Sequence, residues 1–193
     1  MSNKKPVFKY PGKTTDVYWD GRLCIHIAEC GRAEGHLFEG GRKPWCDPDL
    51  SSDEEVADVC ERCPSGALSY RVKDGSSEER ADELNTVTVV NRGPLYVRGR
   101  LEIDRVGDDQ PGLRYRAALC RCGQSKNKPY CDTSHEKAGF SDYGAVGRTG
   151  EPVGSASGPL SIKPAADGPL IVSGDFTIVA GSGRRAWTGS RAA

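Results

Sequence analysis

Hydrophobic positions recur along this chain with two different periods. Val56, Val59, Cys60 and Cys63 fall at i, i+3, i+4 and i+7, the spacing of one helical face, and predict a helix over residues 51–62. Ser51-x-x-Glu54 and Ser52-x-x-Glu55 both offer a capping box for its start. Pro64 and Gly66 end it, and Ala67–Val72 reads as a strand. Thr14–Trp19 reads as an earlier strand, closed by a turn at Asp20-Gly21. Lys73–Glu83 is polar and charged, includes Gly75-Ser76-Ser77, and reads as a linker. Beyond it, Thr86–Val90 alternates β-branched residues and predicts another strand.

Residues 144–158 are rich in Gly, Ser and Pro and read as a second linker, after which an earlier pattern returns. Gly93-Pro94-Leu95-x-Val97-x-Gly99-x-x-x-Ile103 matches Gly168-Pro169-Leu170-x-Val172-x-Gly174-x-x-x-Ile178. Arg116-Ala117-Ala118 matches Arg191-Ala192-Ala193. In the first copy Leu119 and Cys120 come next, whereas the second copy ends there. This is an internal repeat without its cysteine-bearing part. A longer ancestor that lost its second motif, by truncation or decay, is the expectation.

Composition narrows the picture. The chain has 193 residues, 24 Gly, 12 Pro and 8 Cys, which predicts small, loop-rich cores in need of a staple. No run of 18 apolar residues occurs, so no membrane span is expected. The opening MSNKKPVFKYPGK has no apolar h-region, so a cytoplasmic protein with reduced thiols is expected. In that setting cysteines bind metal more readily than they pair. Residues 1–83 carry 12 basic and 17 acidic side chains, and residues 84–193 carry 15 and 10. A chain that is acidic first and basic second lacks the basic excess of a nucleic-acid binder, but suits electrostatic docking to a redox partner.

Three thiols and one imidazole lie within the segment Cys120-Arg-Cys122 to Cys131-Asp-Thr-Ser-His135. If Cys131 opens a helix, its side chain and that of His135 share a face. Gly123 frees the backbone to turn beside a metal, and Pro129 stiffens the return. The donor set suits zinc or an iron–sulfur cluster, although Cys-x-Cys is a poorer zinc spacing than Cys-x₂₋₄-Cys. Imidazole is neutral where thiolate is negative, so it raises a cluster's potential, and it titrates near neutrality, so acid can detach it. Arg121, Lys126 and Lys128 are candidates for offsetting cluster charge.

The segment resembles the CDGSH (mitoNEET-like) iron–sulfur family, whose pattern is Cys-x-Cys-x₂-(Ser/Thr)-x₃-Pro-x-Cys-Asp-Gly-(Ser/Ala/Thr)-His. Cys120, Cys122, Ser125, Pro129, Cys131, Asp132, Ser134 and His135 fill it, with Gly139-Phe140 behind and Gly93-Pro94-Leu95-x-Val97 ahead. Thr133 stands where the name-giving Gly belongs. The resemblance implies a 2Fe–2S cluster on Cys120, Cys122, Cys131 and His135. It also implies a β-cradle in which two copies exchange strands, as a homodimer or a tandem pseudo-dimer. Residues 159–193 are then expected to complete the cradle in cis.

Cys24-Ile-His-Ile-Ala-Glu-Cys30 has the outer cysteines of a ferredoxin Cys-x₂-Cys-x₂-Cys loop, with Ile27 at the middle position. Cys63-Pro64 supplies the distant Cys-Pro. Tyr18–Tyr70 resembles divergent single-cluster ferredoxin domains and the ferredoxins that feed haem monooxygenases. Those relatives imply a 3Fe–4S or 4Fe–4S cluster on Cys24, Cys30 and Cys63. Cys60 is a candidate fourth ligand, or a buried small hydrophobe; Cys46 and His26 are weaker candidates. Small Gly66 and Ala67 would let backbone approach a cluster, and Trp45 is expected to be a packing lid.

The expected architecture is α+β: a ferredoxin-like domain over 1–83, then a β-rich CDGSH domain over 84–193 with its motif at 120–135. The expected function is one-electron transfer with a reductase or oxidase partner, or alternatively 2Fe–2S donation or redox and pH sensing. No Ser/His/Asp grouping or phosphate loop occurs, so no enzyme is expected.

Overall fold

The computed structural model describes residues 7–104, 110–147, 158–166 and 168–192. The chain is mixed α and β, rich in strands and poor in helix. It divides into two compact units, Met1–Arg80 and Ala81–Ala193. Among the described residues no helix is long and apolar enough to cross a membrane.

The first unit has an antiparallel sheet in the order β1 (Val7–Tyr10), β2 (Thr15–Asp20), β3 (Leu68–Val72). Helix α1 (Asp53–Arg62) packs against β3. Of the two capping boxes, Ser52 is the working cap: its Oγ accepts the Glu55 N–H at 3.2 Å. Asp53, Glu54 and Glu55 then place negative charge on the positive end of the helix dipole. Asp53 also accepts from the hydroxyls of Thr14 and Thr15, which ties the helix start to β2. Val56, Val59 and Cys60 are fully buried, as the periodicity predicts, and Val17, Leu23, Leu37 and Leu68 are also buried in this unit. Cys63 leaves the helical face and becomes the C-cap, in extended backbone.

The second unit is one sheet in the order β6 (Leu101–Ile103), β8 (Leu160–Pro164), β9 (Leu170–Val179), β4 (Thr86–Val89), β5 (Leu95–Arg98), β7 (Arg116–Leu119). Strand β10 (Arg185–Ala192) pairs with β9, and the one-turn helix α2 spans Ser134–Lys137. The sequence repeat, offset by 75 residues from Gly93 to Gly168, is also a repeat of pairings. Parallel β4–β9 puts Thr86 opposite Thr177 and Val87 opposite Ile178. Parallel β6–β8 puts Glu102 opposite Ser161 and Ile103 opposite Ile162. Shifting one ladder by the repeat offset and exchanging the copies produces the other. Val97 opposite Ala117 recurs in the same way as Val172 opposite Ala192. Each copy lends a strand to the other, as in an isologous two-fold interface. Most of the expected linker lies outside the described residues, which resume at Gly158.

Gly99 and Gly174 occupy equivalent places where the chain crosses from one copy to the other, with φ of 131° and 110°. A Cβ at Gly99 would collide with Asn85, whose amide donates to the Gly158 and Asp175 carbonyls and whose Oδ1 accepts the Arg100 N–H. Gly99→Ala therefore combines a backbone conformation hostile to L side chains with a clash against a buried hydrogen-bond hub. We expect a loss of about 2–3 kcal/mol, read as a lower urea midpoint for the second unit. An unchanged midpoint would show that the crossing tolerates a side chain.

Candidate metal centres

In the second unit, strand β7 delivers Cys120 and the chain returns beside it through Tyr130. Cys120 donates its N–H to the Pro129 carbonyl at 2.8 Å, and Cys131 donates to Ala118 at 2.8 Å. Leu119 and Tyr130 form a bridge between the two segments. This clamp sets Cys120 and Cys131 at the neck of one loop. Ser125 Oγ crosses the loop to Tyr130 O at 2.6 Å, and Asp132 accepts the N–H groups of Lys126 and Ser134. Those donors hold the Asp132 carboxyl below its ordinary range against the opposing effect of burial.

The four candidate side chains meet as two pairs. Cys120 Sγ lies 3.9 Å from Cys122 Sγ, and Cys131 Sγ lies 3.5 Å from His135 Nδ1. Two sulfurs on one tetrahedral metal at a bond length near 2.3 Å are about 3.8 Å apart, and a sulfur and an imidazole nitrogen about 3.5 Å. Each pair thus has the edge of a tetrahedral metal. Burial raises the thiol pKa values of Cys122 and Cys131, and neighbouring thiolates, Cys120 foremost among them, raise them further. A cationic occupant would relieve that mutual repulsion. Among the described residues no three such side chains converge as a single ion would require.

Two details differ from expectation. Cys131 does not open a helix, because α2 begins only at Ser134. The pair closes instead through Thr133, held left-handed at φ 68°. That conformation also aims the Thr133 N–H at Cys131 Sγ, 3.4 Å away. Arg121 is not a free charge beside the site. Its guanidinium donates to the Val90, Gly93 and Asp142 carbonyls, pairs with the Asp142 carboxylate and covers the Phe140 ring, bracing the loop against the β4–β5 turn. Because a β-branched residue is strained at positive φ, Thr133→Gly should stabilise the apo second unit by up to about 1 kcal/mol. A lower melting temperature in that variant would contradict this reading.

In the first unit, Cys24, Cys30 and Cys63 line one cavity of about 580 Å³. The loop between the first two curls through left-handed His26 (φ 55°) and Ala28 (φ 65°), and Ile27 between them is 46% exposed. The Cys30 thiol is pushed up by burial, then by Cys24 and Cys63. His26 Nδ1 sits 3.8 Å from Cys24 Sγ, and Ser65 Oγ 3.6 Å from Cys63 Sγ. Ala67 also lines the cavity. Cys60 and Cys46 are 0% and 1% exposed and stand outside its lining. Burial pushes the Cys46 thiol up to about 12.

The cavity also has an aromatic wall: Tyr10, Trp19, Phe38 and Trp45. Trp45 is its hub, with ring centroids 6.0, 5.9 and 4.7 Å from those of Tyr10, Trp19 and Phe38. Strand β1, which brings Tyr10, went unrecognised in the sequence. Its signal is the short run Val7-Phe8-Lys9-Tyr10, next to a lysine-rich start.

Both units thus present soft-donor sets suited to iron and sulfide. Residues 10–73 match the family described as divergent 4Fe–4S mono-cluster, and residues 92–136 the one described as iron-binding zinc finger, CDGSH type. The class is a protein with two iron–sulfur-binding domains in series. The uncharacterized protein YjdI of Escherichia coli K12 is 45% identical over 64 residues, which are 33% of this chain and 84% of YjdI. The protein of that name in Escherichia coli O157:H7 is equally similar. The chain belongs to the divergent 4Fe–4S mono-cluster family through its first unit, with a CDGSH-type domain following it. Both resemblances read from the motifs are borne out. No solved structure matches the chain.

Proposed function

We propose that this chain is a one-electron carrier with two clusters. A 2Fe–2S centre is held with Cys120 and Cys122 on one iron and Cys131 and His135 on the other. A 3Fe–4S or 4Fe–4S centre is held by Cys24, Cys30 and Cys63. The observation that carries the reading is the division of the second site into two tetrahedral edges, 3.9 and 3.5 Å long. Bound there, such clusters take up and return single electrons.

The chain's own groups set the conditions. N–H groups of Gln124 and Thr133 point at the sulfurs of Cys122 and Cys131, each at 3.4 Å, and disperse negative charge on them. Cys120, Cys122 and His135 are half-buried, which keeps the path to a protein partner short. A reductase or oxidase is the partner class, in the cytoplasm, and the two units take the ferredoxin-like and β-cradle folds. The exchanged ladders favour a monomeric pseudo-dimer.

A second reading has support of its own. His135 sits on a helix of only four residues. A ligand on so short an element can let go, as cluster donation or sensing requires. Incubation of the loaded protein with an apo-ferredoxin separates the two. Reversible bleaching by a reductant with the cluster retained supports electron transfer, whereas passage of intact 2Fe–2S to the acceptor supports donation.

A further inference from the structure

The first-unit cavity presents three cysteines to a centre that, in cubane form, has four corners. Ile27 stands at the middle loop position and has no donor atom. Of the other cysteines in this unit, Cys60 is buried on the inner face of α1 and Cys46 lies in the bridge with Phe38, and neither lines the cavity. Two polar side chains of the lining are engaged with cysteines: His26 with Cys24, and Ser65 with Cys63. The 3.8 Å between His26 Nδ1 and Cys24 Sγ is a hydrogen-bond separation to that sulfur, too short for ligands on two different corners of a cubane. Around the three sulfurs the cavity continues to the wall of Tyr10, Trp19, Phe38 and Trp45. Its volume of about 580 Å³ lies in the range of small-molecule sites and exceeds what a core of four irons and four sulfides fills.

We propose that the protein leaves the fourth corner of the first-unit cluster open, and that the cavity receives a small soft donor from solution there: a thiol with an apolar body. The inference rests on the cluster assignment to Cys24, Cys30 and Cys63. The lining selects the ligand. Among the described residues it contains no Lys or Arg to receive a carboxylate or phosphate, and its one carboxylate there, Glu29, would repel them. Its aromatic rings accept an apolar body, and iron bonded to sulfide accepts a soft sulfur donor. The thiol gives up its proton to solvent and its sulfur supplies the electron pair of one new iron–sulfur bond. Nothing is oxidised or reduced. If the centre is isolated with three irons, Fe(II) completes the corner first: a reduced three-iron core of zero charge plus Fe²⁺ gives a four-iron core of charge +2, with no further electron.

The test uses the full chain, reconstituted without oxygen and supplied with Fe(II) and a reductant, and 4-fluorothiophenol as the probe. The expected result is a saturable, paramagnetically shifted ¹⁹F resonance that disappears in Ile27→Cys, where the chain itself fills the corner. Because Ile27→Cys leaves the second unit intact, a shifted resonance that survives in it belongs to that unit's centre and overturns the inference. So does a wild-type protein with a complete four-iron centre and no shifted probe, especially if Cys60→Ser, Cys46→Ser or His26→Ala then admits the probe and so names an internal fourth ligand. A first-unit centre that stays at three irons under these conditions overturns it as well. Iron and sulfide absent from the first unit altogether would instead remove the cluster assignment beneath it.

Discussion

Replacing His135 by cysteine is expected to lower the midpoint potential of the second-unit centre by on the order of 100–200 mV while keeping the cluster. The physical cause is charge. A thiolate adds a negative charge to one iron where the imidazole adds none, and that charge opposes the electron arriving on reduction. Two histidines in place of two cysteines raise a 2Fe–2S centre from about −400 mV to at least about −150 mV, so one exchange should recover a sizeable share of that span. The geometry favours retention, because Cys131 and the side chain at 135 are already brought together across the Thr133 turn. An EPR-monitored redox titration of the variant beside the parent protein reads the shift. A retained cluster at an unchanged potential would remove His135 from the ligand set.

Deleting residues 159–193 is expected to convert the protein from a monomer into a dimer. In the full chain, β4 takes the second half of β9 as its parallel partner, and β8 takes β6. The second half of β9 is the repeat equivalent of β6. Without the second copy, β4 and β6 each lose a partner, and their exposed edges are unstable alone. Two shortened chains can satisfy both by pairing β4 of each with β6 of the other, in the same register. The result would be a two-fold dimer with a 2Fe–2S centre from each chain. Light scattering coupled to size-exclusion chromatography reads this directly, with the full chain expected at its monomer mass of 20.8 kDa. A full chain that is already an obligate dimer at low concentration, or a shortened chain that stays a folded monomer with its cluster, would show that the second copy does not stand in for a partner.

How much of this the sequence disclosed depends on how local each signal was. The helix at Asp53–Arg62 was plain because its cap, its acidic first turn and its apolar spacing all lie within ten consecutive residues. The candidate donors Cys120, Cys122, Cys131 and His135 were legible for a similar reason, since all four lie within sixteen residues. The repeat was visible as a spaced pattern, but its parallel cross-pairing joins residues some 60 to 90 positions apart and leaves no local trace. The fourth-ligand question turned on direction. Helical spacing placed Cys60 and Cys63 on one face, but Cys63 caps the helix in extended backbone and reaches the cavity, while Cys60 stays in the core. The aromatic wall was hidden because its members come from β1, β2 and two loop positions that only the folded first unit assembles.

The central claim, two different clusters in one chain, is tested most directly by anaerobic purification with iron and acid-labile sulfide counts and Mössbauer spectroscopy of the ⁵⁷Fe-labelled protein. The account predicts about five to six irons per chain, with sulfide in proportion, in two separable components. One component, a 2Fe–2S centre, should vanish in Cys131→Ser. The other, a 3Fe–4S or 4Fe–4S centre, should vanish in Cys63→Ser, and each should survive the other's substitution. Stoichiometric zinc without labile sulfide in either unit, or a single component lost in both variants, would contradict it.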